Sequence, residues 1–296
     1  MLHPMSRKRV ENLVSLGEQF GRTAFAYLVA IGVAGTAAPL CQALDARGIV
    51  ERATEALKAD WAADPSYANV ERDETEKGGK STSKTFVVLM IDGSEYHFPL
   101  ALDDQPLPQN RHKIELVKLK EEEQRRRNQS PEARQSRIEA WQKQRDENGE
   151  LLLDFPGVLD LTLLGEETKD GYPAYVFSAV PKPGVVPRTR SEKVLTGVQG
   201  KAWVDKKTLH PFRVECTVIK TVPVYGPIAR VLPGTDIEIA MTPVADSIWL
   251  IDRVSIRLNV AKLGIFKSST NTVSTYTQYR PNSVVLSELL DEADRQ

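Results

Sequence analysis

Apolar and polar residues alternate along residues 200–220 of this 296-residue chain, GKAWVDKKTLHPFRVECTVIK. Ala202 and Val204 alternate with polar neighbours before a polar turn at Lys206–Thr208. After the turn the apolar positions are Phe212, Val214, Cys216 and Val218. A period of two over this length predicts a half-buried antiparallel hairpin.

The same period recurs on both sides of this hairpin. We expect three antiparallel strands near 67–76, 83–91 and 95–102, with turns at Lys77–Gly79 and Asp92–Gly93. Residues 150–280 are mostly strand-like, with short turns such as Lys169–Gly171. The pattern is typical of a meandering antiparallel sheet, so residues 44–280 are predicted to form one β-rich domain.

Helical spacing appears in a few places only. Residues 44–64 place Ile49, Val50, Ala53, Leu57 and Trp61 on one stripe, which predicts an amphipathic helix that packs on the sheet. Residues 108–149 are highly charged and predict helices near 110–128 and 131–147, the second ending at Gly149. We interpret this segment as a solvated helical insertion, with a mobile lid or a partner-binding arm as alternatives. Residues 281–296 are expected to be a short helix or a tail.

The N-terminal residues have the pattern of an export signal. Arg7, Lys8 and Arg9 precede residues 23–40, which carry no charge, and small residues follow. This order is typical of a secretory signal peptide, with cleavage after Ala43 and export to the periplasm. Since an uncleaved span needs roughly 20 apolar residues, an inner-membrane anchor formed by residues 23–40 is the alternative.

Composition and motifs argue against several function classes. The net charge of −1 gives no basic surface for nucleic acid. The GGKST run at 78–82 lacks the earlier glycine and the following helix of a phosphate-binding loop. His97, His112 and His210 have no zinc-type spacing, and Asp160, Glu166 and Glu167 are expected to be exposed turn charges. Cys216 is expected to be a small core residue. We therefore expect no catalytic residues, no metal site and no cofactor.

A long antiparallel sheet must bury one face, and a curved sheet capped by helices can enclose an apolar cavity. The alternative is an interior filled completely by side chains. The cavity hypothesis has the following candidate lining residues: Phe177, Trp203, Phe212, Val214, Trp249, Ile256 and Leu258. Val50, Leu57 and Trp61 of the N-terminal helix are the candidate lid residues.

Residues 163–184 and 200–215 resemble a known family. A Gly-containing turn and a Tyr-Val-Phe strand are followed by Gly200, Trp203-Val204-Asp205, Pro211 and Arg213. These features are similar to bacterial periplasmic proteins with the lipoprotein-carrier fold, the LolA/LolB-type outer-membrane lipoprotein-sorting proteins. The resemblance covers roughly 45–105 and 150–280. It implies a mainly β (α+β) fold: a curved antiparallel sheet or half-barrel, capped by helices, with a cavity for acyl chains.

Two functions follow as hypotheses. The first is an exported, non-enzymatic protein that binds or carries a hydrophobic ligand, a lipid or a lipoprotein acyl chain, with peripheral membrane association. The second is an envelope structural or interaction protein with a filled core, which binds a protein partner through the charged helices at 108–149.

Overall fold

The computed structural model describes residues 45–225, 228–263 and 266–295. The chain divides into a unit of residues Met1–Asp45 and a unit of residues Ala46–Gln296, and the second unit is described below. The expected signal peptide at 1–43 and the alternative anchor at 23–40 lie outside the described residues. In the described part of the chain, no helix has both the length and the apolar character needed to cross a bilayer.

Thirteen strands within the described residues form one curved antiparallel sheet that does not close. The strands are β1 Tyr67–Lys77, β2 Lys80–Ile91, β3 Ser94–Leu102, β4 Gln105–Pro106, β5 Leu159–Lys169, β6 Tyr172–Pro181, β7 Val198–Asp205, β8 Pro211–Val218, β9 Val222–Pro223, β10 Ala229–Val231, β11 Asp236–Ala245, β12 Ile248–Lys262 and β13 Phe266–Pro281. Their order is β4-β3-β2-β1-β13-β12-β11-β8-β7-β6-β5, with β10 beside β12 and β9 beside β10. The expected fold class, mainly β with a curved antiparallel sheet, is confirmed.

Six helices accompany the sheet in the described residues: α1 Ala46–Ala63, α2 Gln109–Arg127, α3 Pro131–Leu153, α4 Phe155–Val158, α5 Arg190–Leu195 and α6 Asn282–Asp294. A single 3₁₀ turn, Asp64–Ser66, follows α1 and leads directly into β1. The predicted N-terminal helix is therefore present. The C-terminal residues form a helix and not a frayed tail.

The Asp-Gly turns determine the hairpins. Asp92 and Gly93 both have positive φ, 47° and 85°, and so do Asp170 and Gly171, at 51° and 87°. Two successive residues with positive φ give the turn whose twist matches a right-handed pair of strands. The β2–β3 and β5–β6 hairpins therefore lie where the sequence predicts them.

The charged segment at 108–149 differs from expectation. Leu116 and Leu119 of α2 are fully buried against Phe98 and other core residues, so a solvated insertion is the wrong description of α2. The helix α3 also continues beyond Gly149 to Leu153. A Cβ on Gly149 would lie 2.6 Å from the ring of Trp61, so this glycine permits close packing with α1 and does not end a helix.

Three clusters of buried side chains form the core. The α1 core contains Leu57, Leu152, Ala174, Val176, Trp203, Phe212, Met241 and Trp249. The loop core contains Phe155, Val158, Leu159, Ala179, Leu195, Val198, Ala202, Val214, Cys216, Val218, Val222, Val224 and Val231. The α2–α6 core contains Ala68, Leu89, Ile91, Phe98, Leu116, Leu119 and Val285.

Candidate functional site

One face of the sheet, here called the front face, can be followed across the strands by register. Phe177, Ala202, Val214, Ile239 and Val254 are paired in sequence from β6 to β12. Since residues directly opposite each other share a face, these five side chains lie on the same side of the sheet. A second, parallel row consists of Ala179, Gly200, Cys216, Ile237 and Ile256.

The front face changes chemistry between β12 and β13. Val254 pairs with Ser274, which pairs with Asp73, which in turn pairs with Lys84. Ile256 pairs with Thr272, and Thr272 pairs with Thr75. Neighbouring strands are about 4.8 Å apart, so the apolar and polar halves meet within one strand spacing.

Next to the boundary between β12 and β13, other side chains cover the apolar half of the front face only in part. Ile237, Ile239, Val254, Ile256 and Leu258, here called the front strip, are half-buried, whereas Val214 and Cys216 on the next strand are buried. Ile237, Ile239 and Leu258 contact the loop core, and Ile239 also contacts the α1 core. The front strip is therefore an apolar surface between two packed cores.

The predicted lining residues fall into three groups. Ile256 and Leu258 belong to the front strip. Phe177 and Val214 lie on the front face but are buried, at 1% and 8% exposure. Phe212 and Trp249 belong to the α1 core, where the two rings lie 6.1 Å apart.

Trp203 alternates away from the front strip, and its ring is buried in the α1 core together with Phe212 and Trp249. It pairs with Arg213, which alternates with the front-face residue Val214. Its Nε1 donates a hydrogen bond to Glu167 over 2.7 Å, and the ammonium of Lys169 lies 4.6 Å from the centre of its ring. Trp203 is thus a core residue that also contacts two charged side chains, Glu167 and Lys169.

The predicted lid residues lie on α1. Leu57 is buried in the α1 core, whereas Val50 and Trp61 are half-buried. The backbone N–H of Trp249 donates to Asp60 over 3.0 Å, and Asp60 is 1% exposed. The guanidinium of Arg145 lies 4.2 Å from the ring of Trp61. These contacts attach α1 to β12 on one side and to α3 on the other.

The polar half of the front face contains Asn69, Glu71, Asp73, His97, Ser274 and Tyr276. Asn69 pairs with Val88 and Val88 with His97, while Glu71 pairs with both Phe86 and Tyr276. The Oε2 atom of Glu71 is 3.6 Å from Nδ1 of His97, and His97 also contacts Glu95. Sequence reasoning did not identify these residues as a group.

Burial dominates the electrostatics of the polar half. It raises the pKa of Glu71 to about 7, with Asp73 and Glu95 acting in the same direction and His97 opposing them. Burial likewise raises the pKa of the Tyr276 hydroxyl well above its ordinary value. The carboxyl group of Glu71 therefore titrates near neutrality.

The other candidate residues are easily placed. Asp160, Glu166 and Glu167 are exposed as expected, and Cys216 is a buried core residue whose thiol pKa is raised to about 12 by burial. His210 stacks on Trp249 at 5.8 Å, and His112 contacts Glu292 at 2.9 Å. Among the described residues, no cluster of three His, Cys, Asp or Glu side chains could hold a metal ion.

Comparison with known proteins gave matches among solved structures. An outer membrane lipoprotein-sorting protein domain from Vibrio parahaemolyticus matches over 80% of this chain and 98% of its own, with 12% identity and a TM-score of 0.33. A LolA superfamily protein from Nitrosomonas europaea matches over 80% and 94%, with 12% identity and a TM-score of 0.32. A chain of the Pseudomonas aeruginosa MucA/MucB complex matches over 77% and 98%, with 13% identity and a TM-score of 0.23.

No protein-family model and no curated protein matches the chain. The matching structures do include members of the family that the sequence resembles. At these identities and TM-scores, the likeness determines neither the ligand nor the partner of this chain, so a functional proposal must start from its own geometry.

Proposed function

We propose that this protein is an exported, non-enzymatic binding protein that holds the alkyl chain of a lipid or of a lipoprotein on its front strip. The observation that carries the proposal is that Val254 and Ile256, with Ile239 and Ile237 beside them, remain half-buried on the sheet face where Val214 and Cys216, one strand further, are buried. Covering about 200 Å² of apolar surface at about 25 cal/mol per Å² gains roughly 5 kcal/mol before the costs of association.

The proposed location is the periplasm. It is supported by the basic residues Arg7, Lys8 and Arg9 ahead of the uncharged residues 23–40. Cleavage after Ala43 leaves Ala46, the first residue of α1, close to the new N-terminus. Mass spectrometry of the exported protein gives this N-terminus directly, and a retained segment 23–40 would support the anchored alternative.

The binding proposal is tested by titration with N-phenyl-1-naphthylamine, an uncharged fluorescent probe of apolar sites. We expect saturable binding to the wild type and a loss of about fivefold to thirtyfold in affinity for Val254→Asn, because an amide would be buried against the ligand without a partner.

The matched control is Val273→Asn. Val273 is also half-buried and lies on the neighbouring strand, but it pairs with Ser255 and so faces the back of the sheet. Its affinity for the probe is expected to stay within twofold of the wild type. Equal effects of the two substitutions, or no saturable binding to the wild type, would contradict the proposal.

The alternative function, binding of a protein partner through α2 and α3, is better tested by point substitutions than by deleting residues 108–149. Such a deletion removes Leu116 and Leu119, which are fully buried. Charge reversal at exposed positions of α3, such as Glu139 and Lys143, leaves the core intact and tests partner binding separately.

A further inference from the structure

The polar half of the front face contains a buried acceptor that lacks a donor. Asn69 is 9% exposed, and its Oδ1 accepts no hydrogen bond from the described residues. It lies two residues before Glu71 in β1, so both side chains point to the front face. Buried polar atoms in native structures are nearly always paired, so the oxygen of Asn69 is an acceptor that a ligand donor could use.

The groups around Asn69 are carboxylates together with the side chains that donate to them, such as the Tyr276 hydroxyl, which is hydrogen-bonded to Glu71. The side chain of Glu71 is 13% exposed and lies 3.6 Å from the ring of His97. The same ring also contacts the carboxyl group of Glu95. Asp73 accepts a hydrogen bond from Ser274. An ionised carboxylate can only accept hydrogen bonds, so this surface is suited to a ligand that only donates them.

The register places two basic side chains, Lys84 and His97, on the polar half. Lys84 lies opposite Asp73, two positions along β1 from Glu71. His97 is the cationic candidate nearest to Glu71, and it is divided between two carboxylates.

We propose that the polar half binds the ammonium head group of an amphiphile whose alkyl chain lies on the front strip. This inference rests on the proposed function and specifies its ligand class. An ammonium has three donors and no acceptor, which complements Glu71 and the unpaired oxygen of Asn69. A carboxylate head group would instead meet like charge. Because Val254 pairs with Ser274 and Ser274 pairs with Asp73, the start of the chain on β12 and the head group on β1 would bind on either side of β13.

The experiment compares two ligands with the same chain. Dodecylammonium and dodecanol are each used to displace N-phenyl-1-naphthylamine at pH 8, where Glu71 is mainly ionised and the amine is protonated. We expect the wild type to prefer the ammonium by tenfold or more. In Glu71→Gln the preference should fall below threefold while the affinity for dodecanol is unchanged.

Two further variants complete the design. Glu74→Gln is the matched control, since Glu74 lies on the same strand but alternates to the back face, where it contacts Arg72 at 2.8 Å. It should keep the full preference. Asn69→Ala removes the unpaired oxygen without changing charge and should reduce the preference by about threefold or more.

The outcomes separate the two proposals. Equal wild-type affinities for the two ligands, or an unchanged preference in Glu71→Gln and Asn69→Ala, would overturn the head-group assignment while leaving alkyl-chain binding intact. Failure of both ligands to displace the probe would overturn the proposed function itself.

Discussion

The buried carboxyl group of Glu71 affects both the stability of the fold and the charge of the polar half. Its carboxyl group is nearly buried on a sheet face that also carries Asp73, Tyr276 and His97. A buried carboxylate without a full charge partner disfavours its ionised form, and its pKa rises accordingly to about 7. The folded protein therefore holds a proton on Glu71 at a pH where the unfolded chain has already lost it.

This predicts a dependence of stability on pH. Since the folded-state pKa of Glu71 is about 7 and its ordinary value is 4.5, the folded state binds more protons between these values. The contribution of Glu71 to the free energy of unfolding should then fall by up to about 3 kcal/mol as pH rises from 5 to 8. His97, Glu95, Asp73 and Tyr276 face Glu71 and are the same residues in the wild type and in Glu71→Gln, so the comparison isolates this one group.

Urea denaturation at pH 5 and pH 8 measures this effect. The wild type should lose more stability across the interval than Glu71→Gln, in which the side chain cannot ionise. The same loss in both proteins would show that Glu71 does not titrate in this range.

Among the elements, α2 is fixed to the sheet by one buried arginine. Arg126 is 6% exposed and donates to the carbonyls of Ile91, Ser94 and Glu95 over 2.9, 2.7 and 3.1 Å. These carbonyls flank the β2–β3 turn, so the guanidinium joins the C-terminal end of α2 to the tip of that hairpin. Arg126 also pairs with Glu122, one turn earlier on the helix.

Replacement of this arginine should be costly. We expect Arg126→Met to lower the free energy of unfolding by about 2–4 kcal/mol, because buried carbonyl groups lose their donors. Arg127→Met is the matched control. Arg127 is the next residue, its side chain is 73% exposed, and it pairs only with the adjacent-turn residue Glu123 among the described groups, so its loss should cost about 0.5 kcal/mol or less. Similar losses for the two variants, measured by urea denaturation, would contradict the assigned role of Arg126.

The elements were predictable from the sequence where the signals are local. Alternation and the Asp-Gly turns place β1–β3 and β5–β8 within a few residues, since each depends on neighbours in the chain. The end of α3 was missed because Gly149 faces Trp61, a contact between residues that are distant in sequence. The burial of α2 was missed for the same reason: Leu116 and Leu119 are two apolar positions in a charged helix, and their partners come from β3 and α6.

At the scale of the whole molecule, the long-range pairing of β1 with β13 produces the candidate site. That pairing places Asp73 beside Ser274, two residues 201 positions apart, and so puts a polar surface next to the front strip. No local sequence pattern predicts that β13 is the neighbour of β1. The strand YANVERDETEK has charged residues at alternate positions on both faces, which signals an unusual sheet surface without locating it.

The candidate cavity-lining residues were likewise predictable only where the signal is local in sequence. Ile256 and Leu258 could be selected from the alternation of β12 alone, and they lie on the front strip. The alternation around Ala202 places Trp203 on the opposite face, next to Lys169, but does not show that its ring is buried in the α1 core. Phe177 and Val214 lie on the front face, but their burial depends on packing by other elements.

Photolabelling shows where an alkyl chain binds and so whether it lies along the front strip. An uncharged long-chain alcohol carrying a diazirine is bound to the intact protein and irradiated, and the adducts are located by peptide mass spectrometry. We expect adducts in β11 and β12, concentrated at residues 237–239 and 254–258. Adducts concentrated on α2 and α6, or labelling that an excess of unlabelled dodecanol does not suppress, would contradict binding along the front strip.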